Sequence, residues 1–308
     1  MRIVFVGTPD FAVPALEVLL RHRYPVVGVV TAPDRPAGRG LALQESAVKK
    51  FASAHELNIL QPTNLKSPEF LKELRALNAD LQIVIAFRMM PEAMWAMPRL
   101  GTFNLHASLL PDYRGAAPIN WAIINGEKET GLTTFFLKHE IDTGDILFRE
   151  RLEIGPEETA GELHDRLMTK GADLVLKTVQ AIEGDTLKPT PQHYTGNEKK
   201  APKIFKEDCR IDWGRPLEEV HNFIRGLSPY PTAWTHLEGK MFKIFIARKE
   251  LADHDLKPGT IATDDKQYLK AAVKGGFINI IEVQLAGKKR MDIGGFLRGY
   301  TDRFTRFQ

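Results

Sequence analysis

The chain has 308 residues, too many for most single hydrophobic cores, so two domains are expected. With 43% hydrophobic and 26% charged residues it has the composition of a soluble globular chain, and its one cysteine, Cys209, excludes an intrachain disulfide framework and a cysteine-built zinc site. The net charge of +3 hides an asymmetry: basic residues lead acidic ones 20 to 14 over 200–308 but trail them 22 to 25 over 1–199, which points to a polyanionic partner for the C-terminal part or to a merely solvated lysine face.

The N-terminal "RIVFVG" reads as a buried strand rather than a signal peptide, because Pro9, Asp10 and Pro14 interrupt the apolar run. No run reaches the roughly 18 apolar residues of a membrane span, so no membrane partner and a cytoplasmic location are expected. "VPALEVLLRH" follows as a helix, "PVVGVVT" as a strand, and "LQESAVKKFASAHEL" as a helix with Ala47, Val48, Phe51, Ala54 and Leu57 on one side. "NILQP", "PEFLKELRAL", "LQIVIAF", "PEAMWAM" and "GTFNLHAS" continue the alternation, and "LTTFFLK" adds a strand. Apolar strands alternating with helices predict a Rossmann-like, doubly wound, mostly parallel sheet.

The run 159–184 reads as a long amphipathic helix, with Thr159 and Glu162 as a capping box and Gly184 at its end. The pattern then changes. Pro189, Pro191 and Pro202 among polar residues and lysines mark 189–206 as a linker between a domain of 1–188 and one of 207–308. Beyond it come a short helix, "PLEEVHNFIRGL", and short apolar runs spaced like a small antiparallel barrel or sandwich. Trp213, Tyr230 and Trp234 are expected in its core.

A doubly wound sheet first raises a dinucleotide site. The first turn, "VGTPDFAVP", has only Gly7 where that fingerprint needs three glycines, so Asp34 is weak support for a ribose-binding acid. The stretch "TFNLHASLLPDYRG" says more. On a strand Asn104, His106 and Ser108 share one face, and a polar row in an apolar strand needs partners or a site. Convergence at the carboxyl end of a strand favours a site, with a structural row as the alternative. Glu140, Asp142 and Asp145 in "KHEIDTGDILFRE" are all candidate carboxylate partners, and spacing does not choose between them. The single "DTG" excludes an aspartic-protease dyad, and His106, His139 and His164 give no metal-ligand spacing.

Taken together, "NLHASLLPDYRGAAPINWAIINGEKETGLTTFFLKHEIDTGDIL" resembles the signature of the folate-dependent formyltransferases: Asn-x-His on a strand, a Ser-Leu-Leu-Pro loop, and an Asp in a later loop. Within that family "GTPDFAVPALEVLL", "TAPDRPAGRG" and "GKKRMDIGGFLRG" are similar to the branch that formylates methionyl-tRNA rather than nucleotide sugars, and the resemblance runs from residue 1 to about 300. It implies a bacterial, monomeric enzyme with 10-formyltetrahydrofolate as formyl donor, initiator methionyl-tRNA as acceptor and no metal. Asn104 and His106 would stabilise the tetrahedral oxyanion, and Asp142 would tune His106 and assist proton transfer. Ser108, Leu109, Leu110 and Pro111 would line the folate site. Arg35 and Arg39, in a glycine-containing loop, and Lys203 and Lys206 would contact tRNA, and 207–308 would be an OB-like tRNA-binding barrel. Arg88-Met89 departs from the family's Tyr-Gly beside the pterin pocket.

Overall fold

The computed structural model describes residues 1–37, 42–140, 142–300 and 305–307. By packing, the chain divides into two compact units: Met1–Arg114, Gly131–Arg151 and His164–Lys199 form the first, and Gly115–Thr130, Leu152–Leu163 and Lys200–Gln308 the second.

The strands met before the middle of the chain are β1 (Ile3–Gly7), β2 (Val26–Val30), β3 (Arg35–Ala37), β4 (Ala42–Gln44), β5 (Ile59–Leu60), β6 (Leu81–Ile85), β7 (Thr102–His106), β8 (Arg114–Gly115), β9 (Glu129–Phe136) and β10 (Ile146–Glu153). The helices between them are α1 (Val13–Arg21), α2 (Ala47–Ala54), α3 (Pro68–Ala76), α4 (Glu92–Trp95) and α5 (Pro118–Ile124), with α6 (Ala160–Glu183) after β10. The first unit's sheet has the order β10-β9-β7-β6-β1-β2-β5. β1 pairs parallel with β2 and β6, and β6 with β7; β9 then runs antiparallel to β7, with Phe103 opposite Phe136 and His106 opposite Thr133. This is the doubly wound, mostly parallel sheet that the apolar runs predict. β1 and β6 are buried at all five positions, as strands covered on both faces must be.

Local chemistry starts the helices where the sequence breaks. Ser46 and Ser67 cap α2 and α3 by accepting from the N–H groups of Lys49 and Phe70, and Pro68 occupies the first turn of α3, where no N–H is needed. Ahead of α6, the Thr159 N–H and hydroxyl donate to Glu162 Oε2 at 2.8 and 2.7 Å, and the Glu162 N–H returns to Thr159 Oγ1 at 3.3 Å: the capping box is formed. β10 and α5 were not legible, nor were β3 and β4, which pair antiparallel in a stretch that reads as a loop. β10 is buried at Ile146 and Leu147 and then alternates along "FRERLE".

The second unit holds α5, β11 (Lys200–Ala201), α7 (Leu217–Gly226), β12 (Ala233–Leu237), β13 (Lys240–Leu251), β14 (Ile261–Thr263), β15 (Leu269–Val273), β16 (Gly276–Leu285), β17 (Met291–Asp292) and α8 (Ile293–Gly299). Its sheet is antiparallel, ordered β12-β13-β16-β15-β14 with β17 on β16. Register shifts between Ile244 and Ala247 bend the long β13 and turn Ile246 outward. Phe242 lies edge-on to Phe296 at 5.1 Å, and Trp213 stacks on Phe307 at 5.2 Å. Trp213 is therefore core and Trp234 packs beside it, but the expectation for Tyr230 is corrected. Tyr230 is 82% exposed, because it rides a tight turn between Pro229 and Pro231 that points its ring outward.

Candidate active site

The five parallel strands lead to one edge, and strand order reverses across β1, which sends β2 and β5 one way and β6 and β7 the other. Crevices at such a reversal are where open α/β sheets take ligands. A Cβ on Gly7 would lie 2.9 Å from the Ala12 Cβ, so that glycine serves close packing of the turn. The Asp34 carboxylate is already held by Lys49 and by Gln61 Nε2 (2.8 Å), and those bonds, Lys49's first, keep its carboxyl below the usual range.

β7 carries Asn104 and His106 to its carboxyl end. His106 is buried, with Nε2 2.9 Å from the Tyr113 carbonyl. A carbonyl only accepts, so Nε2 carries a proton and donates. That leaves Nδ1 toward Asp142, whose Oδ2 lies 4.0 Å away, both side chains being largely enclosed. The separation is within ion-pair range but too long for a direct hydrogen bond; one small polar atom between them would bridge it. Two residues back, Asn104 is half-buried, and its side-chain amide has no hydrogen bond among the described residues.

The loop after β7 is built from inside. Ser108 lies beyond the strand and is fully buried; its hydroxyl donates to the Asp112 carbonyl at 2.6 Å. Thr133 on β9 donates to the Ser108 carbonyl (2.7 Å) and accepts from the Leu110 N–H (3.2 Å). Leu110 fills a small core with Phe135 and Ile146, and the Leu110–Pro111 peptide is cis. Of the four residues 108–111, only Leu109 and Pro111 keep partly exposed side chains. Tyr113, whose carbonyl fixes His106, is itself anchored by its N–H on the Lys199 carbonyl at 2.6 Å.

The structure separates the three acids of "KHEIDTGDILFRE". Glu140 is exposed, Asp145 pairs with Lys138 at 2.8 Å, and only Asp142 faces His106. Its backbone is left-handed (φ 56°), a conformation an Asp tolerates better than most residues. Gly144 is obligatory, since a Cβ there would sit 1.5 Å from the Phe136 carbonyl oxygen on β9.

Sequence reasoning missed two residues that hold this turn. Gln192 Nε2 donates to the carbonyls of Asp142 (2.9 Å) and Gly144 (2.8 Å), while its Oε1 accepts from Arg114 Nη2 (2.9 Å). The Tyr194 hydroxyl donates to the Thr143 carbonyl at 3.3 Å, and the Arg114 guanidinium lies 4.0 Å over the Tyr194 ring. Burial pushes the Tyr194 phenol up, so it stays a donor at neutral pH. The only sequence signal was a Gln and a Tyr two apart in an extended, proline-spaced stretch.

Elsewhere, Arg35 is exposed on β3 opposite Gln44, and Arg39 lies outside the described residues. Lys203 and Lys206 are exposed in the second unit, Lys203 Nζ 5.2 Å over the half-exposed Phe205 ring. Arg88 bonds the Pro62 and Thr63 carbonyls, whereas Met89 is 73% exposed. No cluster of three or more His, Cys, Asp or Glu side chains suited to a metal occurs among the described residues, and no described helix is long and apolar enough to cross a membrane.

A doubly wound, mostly parallel sheet with an antiparallel second unit is the fold of a formyl transferase. The family profile of that description matches residues 1–179, and that of the formyl transferase C-terminal domain matches 203–301. Solved structures agree on the fold: an N-formyltransferase from Helicobacter canadensis in complex with folinic acid and dTDP-3-aminofucose superposes with a TM-score of 0.68 at 20% identity, covering 94% of this chain and 99% of that one. HypX from Aquifex aeolicus in complex with tetrahydrofolic acid gives 0.66 at 19% identity, covering all of this chain and 51% of that one. At the sequence level, a methionyl-tRNA formyltransferase of Bacteroides fragilis is 55% identical over 97% of this chain and 95% of its own length. One of Flavobacterium johnsoniae is 52% identical over 98% and 96%. The chain belongs to the formyl transferase family, in its methionyl-tRNA formyltransferase branch, and is an enzyme of one-carbon formyl transfer.

Proposed function

We propose that the chain moves the formyl group of 10-formyltetrahydrofolate to the free α-amino group of methionine on initiator tRNA, for translation initiation. Kinship to methionyl-tRNA formyltransferases over 97% of the chain carries this reading. The acceptor amine is already a nucleophile, so no serine or cysteine nucleophile is required. The chain must instead stabilise charge that grows on the formyl oxygen and take a proton from the attacking nitrogen.

The unpartnered Asn104 amide donates toward that oxygen. Donors aimed at developing charge contribute about 3–4 kcal/mol each in favourable cases. His106 works through Nδ1, since its Nε2 is committed to the Tyr113 carbonyl. Asp142, facing that nitrogen, tunes the ring by its position and helps pass the proton across the 4.0 Å gap. The folate, when bound, supplies the activated formyl group. Leu109 and Pro111 fit its flat ring as a partly exposed apolar wall, and buried Ser108 and Leu110 hold that wall in shape. Residues 1–188 would be the catalytic part, 189–206 the link, and 207–308 the tRNA-binding part, with exposed Arg35, Lys203 and Lys206 on phosphates alongside Arg39. The enzyme would work as a monomer in the cytoplasm.

The test is formyl transfer from 10-formyltetrahydrofolate to charged initiator tRNA and, in parallel, to an amino-sugar nucleotide. Transfer to the tRNA alone is expected. Transfer to the sugar nucleotide but not to tRNA would overturn the reading.

A further inference from the structure

In the turn that carries Asp142, three consecutive carbonyls, of residues 142, 143 and 144, are all taken by side chains two residues apart on one extended segment, Gln192 and Tyr194. Such capture is uncommon, because loop carbonyls usually face water. The orientation of the Gln192 amide is forced. Arg114 only donates, so the amide oxygen must face it, and the NH2, with two protons for two carbonyls, must face the turn. Gln192 is 8% exposed, so these bonds form away from competing water. The left-handed Asp142 backbone is a conformation that persists only where its surroundings over-determine it. Gly144, pressed on Phe136, fixes one end of the turn, the Thr143 hydroxyl donates back to the Glu140 carbonyl at 3.0 Å, and the Gln192 amide holds the backbone between them.

We propose that Gln192, oriented by Arg114 and flanked by Tyr194, is a positioning residue for formyl transfer: its amide sets the backbone from which the Asp142 carboxylate addresses His106. This rests on the reading of Asp142 and His106 as catalytic partners. Gln192 touches no reacting atom. It acts by holding a 4.0 Å spacing that a rotation of the Asp142 backbone would change. Misplacement of a catalytic group by about 1 Å can cost on the order of 100-fold in rate.

The experiment is steady-state formylation of methionyl-tRNA by the full chain carrying Gln192→Ala, Gln192→Glu, Asp142→Ala, and Gln192→Ala with Asp142→Ala, alongside thermal unfolding of each. Gln192→Glu keeps the side-chain length and leaves Arg114 a partner, but cannot donate to the carbonyls, so it tests positioning even if the alanine variant is unstable. The expected result is a kcat loss of about 10- to 100-fold in both single Gln192 variants, with KM for donor and tRNA within about twofold of the parent. In the Asp142→Ala background, removing Gln192 should cost nothing further, because its only route to the chemistry is gone. Parental kcat in both Gln192 variants beside a slow Asp142→Ala overturns the proposal and leaves the catalytic reading standing. So does an equal loss with and without Asp142. A parental rate for Asp142→Ala itself would remove the catalytic reading, and the proposal with it.

Discussion

His106 has one nitrogen committed to the Tyr113 carbonyl, which fixes the ring and leaves a single working edge. Replacing it with alanine should lower kcat by at least about 100-fold, the scale of a positioned acid–base group, while tRNA binding measured by filter retention stays near the parent value. A near-parental kcat would remove His106 from the chemistry. The turn facing that edge is equally constrained. Gly144→Ala drives a methyl into the Phe136 carbonyl, and overpacking of this kind costs about 1–3 kcal/mol. A denaturant midpoint that falls together with kcat is expected, and a silent substitution would mean the turn relaxes freely. At this scale the sequence spoke unevenly. Two-residue periodicity put Asn104 and His106 on one face, but Ser108 lies past the strand end and spends its hydroxyl on the loop. The choice among Glu140, Asp142 and Asp145 could not be read, because it depends on a left-handed backbone and on a glycine jammed against another strand.

Among elements, α7 carries a polar load its neighbours must satisfy. His221 on it is 1% exposed, donates through Nε2 to Glu157 at 3.1 Å, and has no partner at Nδ1 among the described residues. A proton added at Nδ1 would find no acceptor, and burial, outweighing the pull of Glu157, lowers the ring's pKa in the folded chain. The unfolded chain, with its histidine near about 6.5, therefore binds more protons at mildly acidic pH. Stability from this site is complete above about pH 6.5 and drains as the pH falls toward the folded value. The melting temperature of the parent should accordingly drop between about pH 6.5 and 5 more steeply than that of His221→Gln. Parallel curves would contradict the neutral, buried ring. Elements were the most legible level. Apolar runs bounded by Pro, Gly and Ser gave nearly every strand and helix of the first unit, and Thr159 with Glu162 gave the start of α6. What stayed hidden was β10, whose alternation looks like a charged loop, and the hold of Gln192 and Tyr194 on the carbonyls of the Asp142 turn, which no spacing in the sequence shows.

For the whole molecule, Cys209 offers a probe. It is 1% exposed, its Sγ–H donates to the Phe205 carbonyl at 3.2 Å, and burial, helped by Asp208 and Glu207, pushes the thiol up to about 11. A disulfide reagent at pH 7.5 should label it only as fast as the second unit opens, so labelling should accelerate with denaturant in step with unfolding. Rapid labelling of the native protein would contradict this burial. The basic bias of 200–308 was legible as a sum of charges, but which lysines serve a partner was not. Lys249, for example, is spent on Glu218 at 2.7 Å, whereas Lys203 and Lys206 stay exposed.

The second unit is not one stretch of chain. Asn120 of α5 donates to the Gly226 carbonyl at 2.8 Å, and Arg225 reaches the carbonyls of Gly155 (3.2 Å) and Glu158 (2.8 Å), so segments encoded far upstream complete the surroundings of α7. The gene therefore has no seam. A fragment of 200–308 expressed alone would lack 115–130 and 152–163 and expose the faces they cover, and during synthesis the second unit cannot close until the ribosome has delivered the tail that joins two segments made much earlier.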